Sequence, residues 1–396
     1  MTLEGLVLQR AAMSHAPRDE RTPRTGATTP VSVRWWPAGA WETLEADIAG
    51  LADISAPNIF LDPGFALPAR DLYPANDLGA VIVTDAQGLL AFIPGRLRWI
   101  AHVFQLWTTP VGNYGSPLVR PGAEALAVKA LFSQLAEMGI TALHAPLLDD
   151  DHPFTQALIA HASETASAMT RFYRHERAVL RHGDALRTHG GIGKEYRRLI
   201  RRLAETGAIT RLSTRDNWPL ATAIDTFLAL EKAGWKGRSG TAFAARLETR
   251  RFFIAVCERL GAQGKLSIDA MMRDDKAVAA AITLRAGSRA WFWKITYDEE
   301  LARFSPGVQA TLALSEALLA DETLVLTDSC AISGHPMIDR IWSARMALED
   351  YFVAVAPGAP SARFRLLVAA ETSHRRLRER AKRFIKRSKP APATGA

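Results

Sequence analysis

The chain has 396 residues, of which 48% are hydrophobic and 23% charged, and its net charge is +8. This composition excludes global disorder, and the length predicts two domains of roughly 150 to 190 residues. No apolar run reaches the roughly 18 residues of a membrane span. The two cysteines are too few for a disulfide framework and fit a cytoplasmic protein. Residues 1–30, rich in Arg, Thr, Ala and Pro, predict a disordered tail rather than a signal peptide.

Most of the positive charge lies near the C-terminus. Residues 371–389 hold nine Lys or Arg and two Glu, which accounts for seven of the eight net charges. The remaining chain is nearly neutral, which argues against a body that coats nucleic acid. We therefore expect a basic tail over residues 371–396, either disordered or helical. As a helix it would present one apolar face, and this would allow peripheral contact with an anionic membrane, such as the inner face of the cell membrane. That face would comprise Leu377, Ala381, Phe384 and Ile385.

Residues 31–181 form a first block with a defined order of predicted elements. Two β-rich runs over residues 78–97 predict a hairpin. A Gly- and Tyr-containing loop follows, then a predicted helix over residues 123–139 and a short strand over residues 140–147.

Residues 182–370 form a second block that repeats this order. Three predicted strands over residues 265–297 precede a Ser-Pro-Gly loop, a helix over residues 308–320 and a strand over residues 323–329. The repetition of hairpin, glycine loop, helix and strand favours a degenerate duplication, with two unrelated α+β halves as the alternative.

A basic helix is predicted between the two blocks, within residues 191–209 and with Gly207 as its C-cap. Its arginines share one face and indicate either a solvated surface or a phosphate-binding surface. These arginines are Arg197, Arg198, Arg201 and Arg202.

The Ser-Pro-Gly loop predicts an anion-binding helix start. Ser305 is a suitable N-cap and Pro306 suits the first helical position. The next backbone amides would then lie unpaired at the positive end of the helix dipole, and Gly307 would let a phosphate approach the backbone. A plain helix start is the alternative. The predicted anion-binding residues are Arg303, Ser305, Gly307, Val308 and Gln309.

Three side chains are candidates for proton transfer. Tyr297 lies at a predicted strand end near the loop, and its phenol could protonate a leaving thiolate. Asp328 follows the strand after the helix and could deprotonate an amine, as could His335. Turn formation is the alternative for both, and a Cys330 nucleophile fits poorly because working triads usually gather separated segments.

The glycine-rich segment over residues 230–243 predicts a flexible loop that carries aromatic and cationic groups. Trp235 and Lys236 in this loop suit a polar or anionic acceptor. Lys294, on the predicted strand that precedes the Ser-Pro-Gly loop, is a further candidate for this contact. The alternatives are a linker with one tryptophan in the core, and a surface lysine. The sequence has no metal-ligand spacing and no GxxxxGK[ST] or GxGxxG fingerprint.

Four segments together resemble a known family: "KEYRRLIRRLAETG", "FLALEKAGWKGRSGTAF", the run from "KLSIDAMM" through "WFWKITYDEELARFSPG", and "DSCAISGHPMIDRIWSAR". They are similar to the CelD/BcsL type of acetyltransferase domain in the GNAT superfamily, which is related to the FemABX peptidyltransferases. The resemblance covers roughly residues 193–351. It implies a layered α+β fold with two GNAT-like domains, each a mixed twisted sheet flanked by helices. Residues 31–181 would be the degenerate N-terminal domain and residues 182–370 the acyltransferase domain.

The same resemblance implies an acyl-CoA co-substrate bound between two splayed strands, transfer to a primary amine, no metal, and a role in exopolysaccharide or envelope synthesis. The family's pyrophosphate signature is Q/R-x-x-G-x-G/A, and this chain departs from it with Arg-Phe-Ser-Pro-Gly-Val at residues 303–308. That departure leaves two alternatives open. One is a FemABX-like transferase that uses aminoacyl-tRNA, and the other is a non-catalytic scaffold at the membrane surface.

Overall fold

The computed structural model describes residues 31–187 and 191–388. The predicted N-terminal tail, residues 1–30, lies outside the described residues. The strands are β1 Ser32–Pro37, β2 Leu78–Asp85, β3 Gly88–Arg98, β4 Val103–Leu106, β5 Leu118–Val119, β6 Ala142–Asp149, β7 Met169–Arg181, β8 Ile209–Ser213, β9 Leu266–Arg273, β10 Lys276–Ala286, β11 Arg289–Tyr297, β12 Leu326–Asp328 and β13 Ala344–Ala354. The helices are α1 Glu45–Ile54, α2 Pro63–Leu72, α3 Glu124–Glu137, α4 Pro153–Glu164, α5 Gly191–Ala204, α6 Leu220–Ala233, α7 Trp235–Arg238, α8 Leu247–Ala262, α9 Pro306–Ala320, α10 Ile338–Ile341 and α11 Ala362–Ser388.

All the strands join one mixed sheet, which confirms the predicted α+β architecture. Twelve of them follow the path β1-β2-β3-β4-β6-β13-β7-β12-β11-β10-β9-β8, and β5 pairs with β3 beside it. Two pairs are parallel, β4 with β6 and β11 with β12. In each parallel pair, the chain that connects the two strands contains one helix, α3 between β4 and β6 and α9 between β11 and β12. A hairpin comes before this connection in both cases, β2–β3 and β10–β11. The predicted repetition of hairpin, loop, helix and strand is therefore confirmed.

The two halves of the chain exchange strands at the centre of the sheet. The C-terminal strand β13 lies between β6 and β7, and β7 also pairs with β12 of the second half. The predicted domain boundary, residue 181, would thus assign strands that hydrogen-bond to one another to different domains.

The largest apolar core also joins the halves. Its aromatic residues come from the first half and, in the second half, from α6, the turn at Phe243, α8 and β11. Phe65 packs edge-on against Phe252, with ring centroids 5.7 Å apart, and against Trp293 at 5.5 Å. Such contacts stabilise an interface beyond the area that they bury.

The basic tail begins as a docked helix rather than as disordered chain. Helix α11 crosses the predicted boundary at residue 371, and Phe364 in its first turn is buried. Arg375 forms an ion pair with Asp350 of β13, with 2.6 Å between Nη2 and Oδ2. The interpretation of residues 371–388 as disordered is therefore wrong. Within the described ranges, no helix is long and apolar enough to cross a membrane.

Candidate active site

A cavity of about 550 Å³ lies where β11 and β12 part. The two strands pair only as far as Trp291 and Asp328, and the cavity is lined by the residues that follow on each side. Its volume falls within the range of small-molecule sites. Eight of the eleven predicted site residues line it: Trp235, Lys236, Lys294, Tyr297, Ser305, Gly307, Val308 and His335.

Ser305 does not cap α9 with its side chain, contrary to the prediction. It occupies the N-cap position in the left-handed conformation, with φ 53° and ψ 51°, and its hydroxyl makes no capping hydrogen bond. The left-handed residue is needed because the preceding 3-10 turn, Glu299–Phe304, ends directly before the helix and the chain must reverse its curvature there. Pro306 occupies the first helical position as predicted.

Only one of the three backbone amides expected to be unpaired is so. Val308 N and Gln309 N both donate to the carbonyl oxygen of Ser305, at 3.0 and 3.2 Å. The Gln309 amide makes the first regular helical hydrogen bond, and Val308 is drawn into a tighter 3-10 bond. Among the described residues, the Gly307 amide has no acceptor. The loop therefore offers an anion one main-chain donor instead of three.

Gly307 is required by its contact with Tyr297. A Cβ atom at this position would lie 2.9 Å from Cδ1 of the tyrosine ring, closer than real side chains approach. The glycine thus lets the phenol ring pack against the first turn of α9 at the edge of the cavity. Tyr297 and the Gly307 amide are held side by side.

Arg303 and Gln309 do not line the cavity, which removes them from the predicted anion site. The exposed guanidinium of Arg303 stacks on Phe304, with Cζ 4.7 Å from the ring centroid. Gln309 is buried, and its Nε2 donates to the carbonyl oxygen of Phe304 at 2.8 Å. Both residues fix the turn before α9.

The predicted flexible loop after α6 is instead a short helix, α7, held by two carboxylates. Lys236 Nζ lies 3.0 Å from Oε1 of Glu231 and donates to the carbonyl oxygen of Ile295 at 3.3 Å. Glu299 pairs with Arg238 and accepts from the Trp235 amide at 2.5 Å. Because the carboxylates fix the backbone, α7 forms one wall of the cavity.

Trp235 is 55% exposed, so the alternative of a core tryptophan is wrong. Its ring stands at the cavity wall and is open to solvent. An exposed aromatic ring beside a cavity is a common contact for a ligand, because it offers apolar area with little conformational entropy to lose.

Asp328 is fully buried and does not line the cavity. Its Oδ2 lies 2.9 Å from Nη1 of Arg177, and its Oδ1 accepts from the Cys330 amide at 2.8 Å. A carboxylate held by a buried guanidinium and a backbone amide has no access to a substrate amine. This geometry favours a structural role in place of the predicted catalytic one.

His335 and Cys330 both line the cavity. The Nδ1 atom of His335 accepts from the amides of Met337 and Ile338, each at 3.4 Å. Bonds of this length are weak and do not fix the ring in one tautomer. Burial raises the pKa of the Cys330 thiol far above its usual range, which disfavours the thiolate that nucleophilic catalysis needs.

Glu231 and Glu299 are site residues that the sequence analysis missed. Both line the cavity, and Glu231 is 2% exposed. A sequence signal exists for Glu231, since a glutamate within the apolar helix "FLALEKA" must find a partner once it is buried. That partner, Lys236, lies five residues further along the chain.

Residues 190–326 match the family model of the Acetyltransferase (GNAT) domain. No curated protein sequence matches the chain.

Several solved structures are similar in fold. The structure of L-PGS from Bacillus licheniformis is 10% identical, with 82% of this chain and 96% of that chain covered and a TM-score of 0.52. The C-terminal domain (DUF2156) of an Agrobacterium fabrum protein is 12% identical, with 83% and 96% covered and a TM-score of 0.50. A tandem GNAT protein from the clavulanic acid biosynthesis pathway is 15% identical, with 83% and 100% covered and a TM-score of 0.40.

The family match covers the elements that build the cavity from α6 to the end of α9. It supports an acyltransferase class for the second half of the chain. At the identities found, the similar structures show the fold alone.

Proposed function

We propose that the second half of the chain transfers an acyl group, acetyl or longer, from an acyl-CoA to a primary amine. The observation that carries this proposal is the cavity between the parted strands β11 and β12, with the Gly307 amide and the Tyr297 phenol at one edge. The unpaired amide at the positive end of α9 suits a phosphate group of the CoA.

The cavity residues divide the proton transfers between them. The acceptor amine must lose a proton to attack the thioester carbon, and the imidazole of His335 accepts it directly or through water. Tyr297 donates its hydroxyl proton to the departing thiolate. Cys330 need not form an acyl-enzyme, because the raised pKa of its thiol disfavours the thiolate. The resemblance to the CelD/BcsL type supports exopolysaccharide or cell-envelope synthesis, in the cytoplasm, as the process served.

Transfer from aminoacyl-tRNA is the second candidate function, and one observation favours it. Arg202 of the basic helix α5 and Arg303 both stack on Phe304, with Cζ to centroid distances of 6.0 and 4.7 Å. Both cations therefore lie beside the loop at the cavity edge. Phosphates of a nucleic acid would fit such a surface.

Native mass spectrometry of the full chain tests the two candidates. The protein is mixed separately with acetyl-CoA, with longer acyl-CoAs, with free CoA and with total tRNA. We expect a one-to-one complex with at least one acyl-CoA. A protein that binds none of these thioesters, but binds tRNA with an affinity that falls steeply with salt, would contradict the proposal and support the second candidate.

Turnover is tested with the same acyl-CoA and a panel of primary amines, by following the free thiol of CoA. We expect Tyr297→Phe to lower the rate roughly 10²- to 10⁴-fold, since that is the usual contribution of a positioned acid. Tyr73→Phe is the matched control, because Tyr73 does not line the cavity. Equal losses in both variants would remove Tyr297 from the mechanism.

A further inference from the structure

The charges of the cavity wall are balanced except at one residue. Glu231 is neutralised by Lys236, and its second oxygen accepts from the Phe243 amide at 2.8 Å. Glu299 is neutralised by Arg238. Lys294 has no carboxylate within 4.0 Å and no hydrogen-bond acceptor in the part of the chain that the structure describes, although it lines the same cavity.

The surroundings of Lys294 make an uncompensated charge costly. Its Nζ lies 5.5 Å from the ring centroid of Phe243 and 5.4 Å from that of Trp293, so two aromatic rings cover one side of it. Burial, and then the nearby charge of Lys236, lower the pKa of Lys294. A cation held in this way is stabilised strongly by any anion that enters the cavity.

We propose that Lys294, with Lys236 beside it, binds a carboxylate or phosphate group of the acyl acceptor. The subsite rests on the proposed function, because it belongs to the same cavity. Gly307, the donor proposed for the CoA phosphate, lies beyond the end of β11. Lys294 is three residues before that strand end, or roughly 10 Å along an extended chain. We assign the negative charge that it binds to the other substrate, since this position lies well apart from the Gly307 amide.

Chemical labelling tests the subsite without any need for turnover. The full chain is treated with trace acetic anhydride, and the modification of each lysine is measured by mass spectrometry. Inorganic phosphate and acetate are the two probes, and chloride at the same ionic strength is the control. We expect one probe to protect Lys294 about tenfold at ten times its dissociation constant, because bound anion holds the amine in its unreactive charged form. Phosphate and acetate distinguish the two anion classes.

Lys276 is the internal control, because it lies outside the cavity and pairs with Asp298 at 3.1 Å. In Lys236→Met we expect the protection of Lys294 to fall severalfold. Labelling of Lys294 that neither anion changes, or that changes equally at Lys276, would overturn the subsite. Acyl-CoA binding is measured on the same sample. Thioester binding without anion protection of Lys294 would overturn the subsite alone and leave the proposed function standing. Protection without thioester binding would instead contradict the proposed function.

A second proposal rests on an independent surface, at the turn after β3 and along α11. Ile100 is 98% exposed and Trp99 54% exposed. Arg363 at the start of α11 donates to the carbonyl oxygen of Ile100 at 2.9 Å, so the helix begins beside this apolar tip. Leu366 and Leu377 on α11 are 70% and 63% exposed and are eleven residues apart, which places them on one face of the helix.

We infer that this tip and α11 contact an anionic lipid bilayer. The exposed residues are apolar, and the helix that carries two of them holds most of the net positive charge of the chain. Apolar groups that insert at the headgroup level, combined with cations that face anionic lipid, define a peripheral membrane contact. Of the predicted apolar face, only Leu377 lies among the residues whose side chains are described.

Co-sedimentation of the full chain with vesicles tests this contact. We expect binding to vesicles that contain phosphatidylglycerol, and at least about tenfold weaker binding to pure phosphatidylcholine. Ile100→Asp should weaken the anionic binding severalfold. Leu247→Asp is the matched control, because Leu247 is 56% exposed on α8. Equal binding by the Ile100→Asp variant and the wild type, or no preference for anionic lipid, would overturn the proposal.

Discussion

Gly307 places an aromatic ring and a backbone amide at the same edge of the cavity. Its lack of a Cβ lets the Tyr297 ring lie against α9, and its amide, in the first turn of that helix, has no acceptor in the described chain. A larger residue must move either the ring or the loop, and both form the edge of the cavity.

We therefore predict that Gly307→Ala weakens acyl-CoA binding about tenfold, while the free energy of unfolding falls by about 1 kcal/mol. Isothermal titration and urea unfolding measure the two quantities. Gly50→Ala is the control, because no atom lies within 4 Å of the added Cβ, and a helical Ala should not weaken binding. Unchanged affinity in Gly307→Ala would show that this edge does not hold the thioester.

Asp328 illustrates how position on a strand can mislead. The carboxyl end of a strand is a frequent place for catalytic residues, and the sequence carries that signal. The partner, Arg177, comes from β7 of the first half, 151 residues away. No local sequence pattern predicts this pairing. Only the strand exchange brings the two charges together.

We predict that Asp328→Ala lowers the free energy of unfolding by roughly 3 to 5 kcal/mol, because it leaves Arg177 buried without a counter-charge. Urea unfolding measures the loss. Asp321→Ala is the matched control, since its pair with Arg285 is partly exposed and should contribute at most about 1 kcal/mol. If Asp328→Ala aggregates, the double variant Arg177→Met, Asp328→Leu should restore folding. A stable Asp328→Ala variant that has lost turnover would return Asp328 to a catalytic role.

At the scale of the elements, the sequence predicts those strands and helices whose position is set by a local pattern of residues. Alternating and β-branched runs located β2, β3 and the three strands β9, β10 and β11, and the apolar run after Pro306 located α9. The left-handed Ser305 and the short helix α7 were not predicted. Both depend on contacts with distant residues, and the carboxylate that anchors α7, Glu299, lies 64 residues from Trp235.

The same limit applies to the site. Residue type and spacing identified eight residues of the cavity wall, because lysine, tyrosine and glycine near a strand end are unusual enough to notice. The direction of an amide and the burial of a carboxylate follow from packing between segments, which a single sequence does not contain. For that reason the sequence did not reveal that Arg303, Gln309 and Asp328 lie off the cavity wall.

Two histidines on neighbouring elements, β6 and α4, are buried in an environment that disfavours their charged form. His144 stacks on Phe352, with centroids 4.5 Å apart, and His152 caps the start of α4. Burial lowers the pKa of each to about 4, although the charges of Asp350 and Glu371 oppose this for His144, and that of Asp149 for His152. Both rings are neutral in the folded protein at neutral pH.

The sign of the pH dependence follows. Between pH 6.5 and pH 4 the unfolded chain binds protons at these rings and the folded chain does not, so stability falls as pH falls. Each ring should contribute up to about 3 kcal/mol to that loss. We predict that His144→Leu reduces this slope by the contribution of one ring, in urea unfolding measured across the pH range. His374→Gln, at an exposed position, should leave it unchanged, and equal slopes in wild type and His144→Leu would contradict the assignment.

At the scale of the whole molecule, the first half supports the cavity of the second. The loop over residues 109–116 accepts a hydrogen bond from Trp293 Nε1 at the Val111 carbonyl, 2.7 Å away, and Asn113 Nδ2 donates to the Cys330 carbonyl at 3.2 Å. The loop thus contacts both sides of the cleft between β11 and β12.

Because of the strand exchange, we expect each half to need strands of the other half in order to fold. Residues 31–181 expressed alone lack β13, which pairs with β6 along one edge and β7 along the other. Two long strands would be left with unpaired backbone groups, and the shared aromatic core would lose α8 and β11.

We predict that neither half, residues 31–181 or 182–388, folds alone, whereas the two halves produced together form a one-to-one complex. Circular dichroism, size-exclusion chromatography and cooperative urea unfolding report the outcome. The matched control is the full chain cut at a protease site inserted after Gly183. That turn is exposed and has space around the glycine, so cleavage there should leave the complex intact. A monomeric half that unfolds cooperatively would show that the exchanged strands are not needed, because the sheet could then close on each side without its partner.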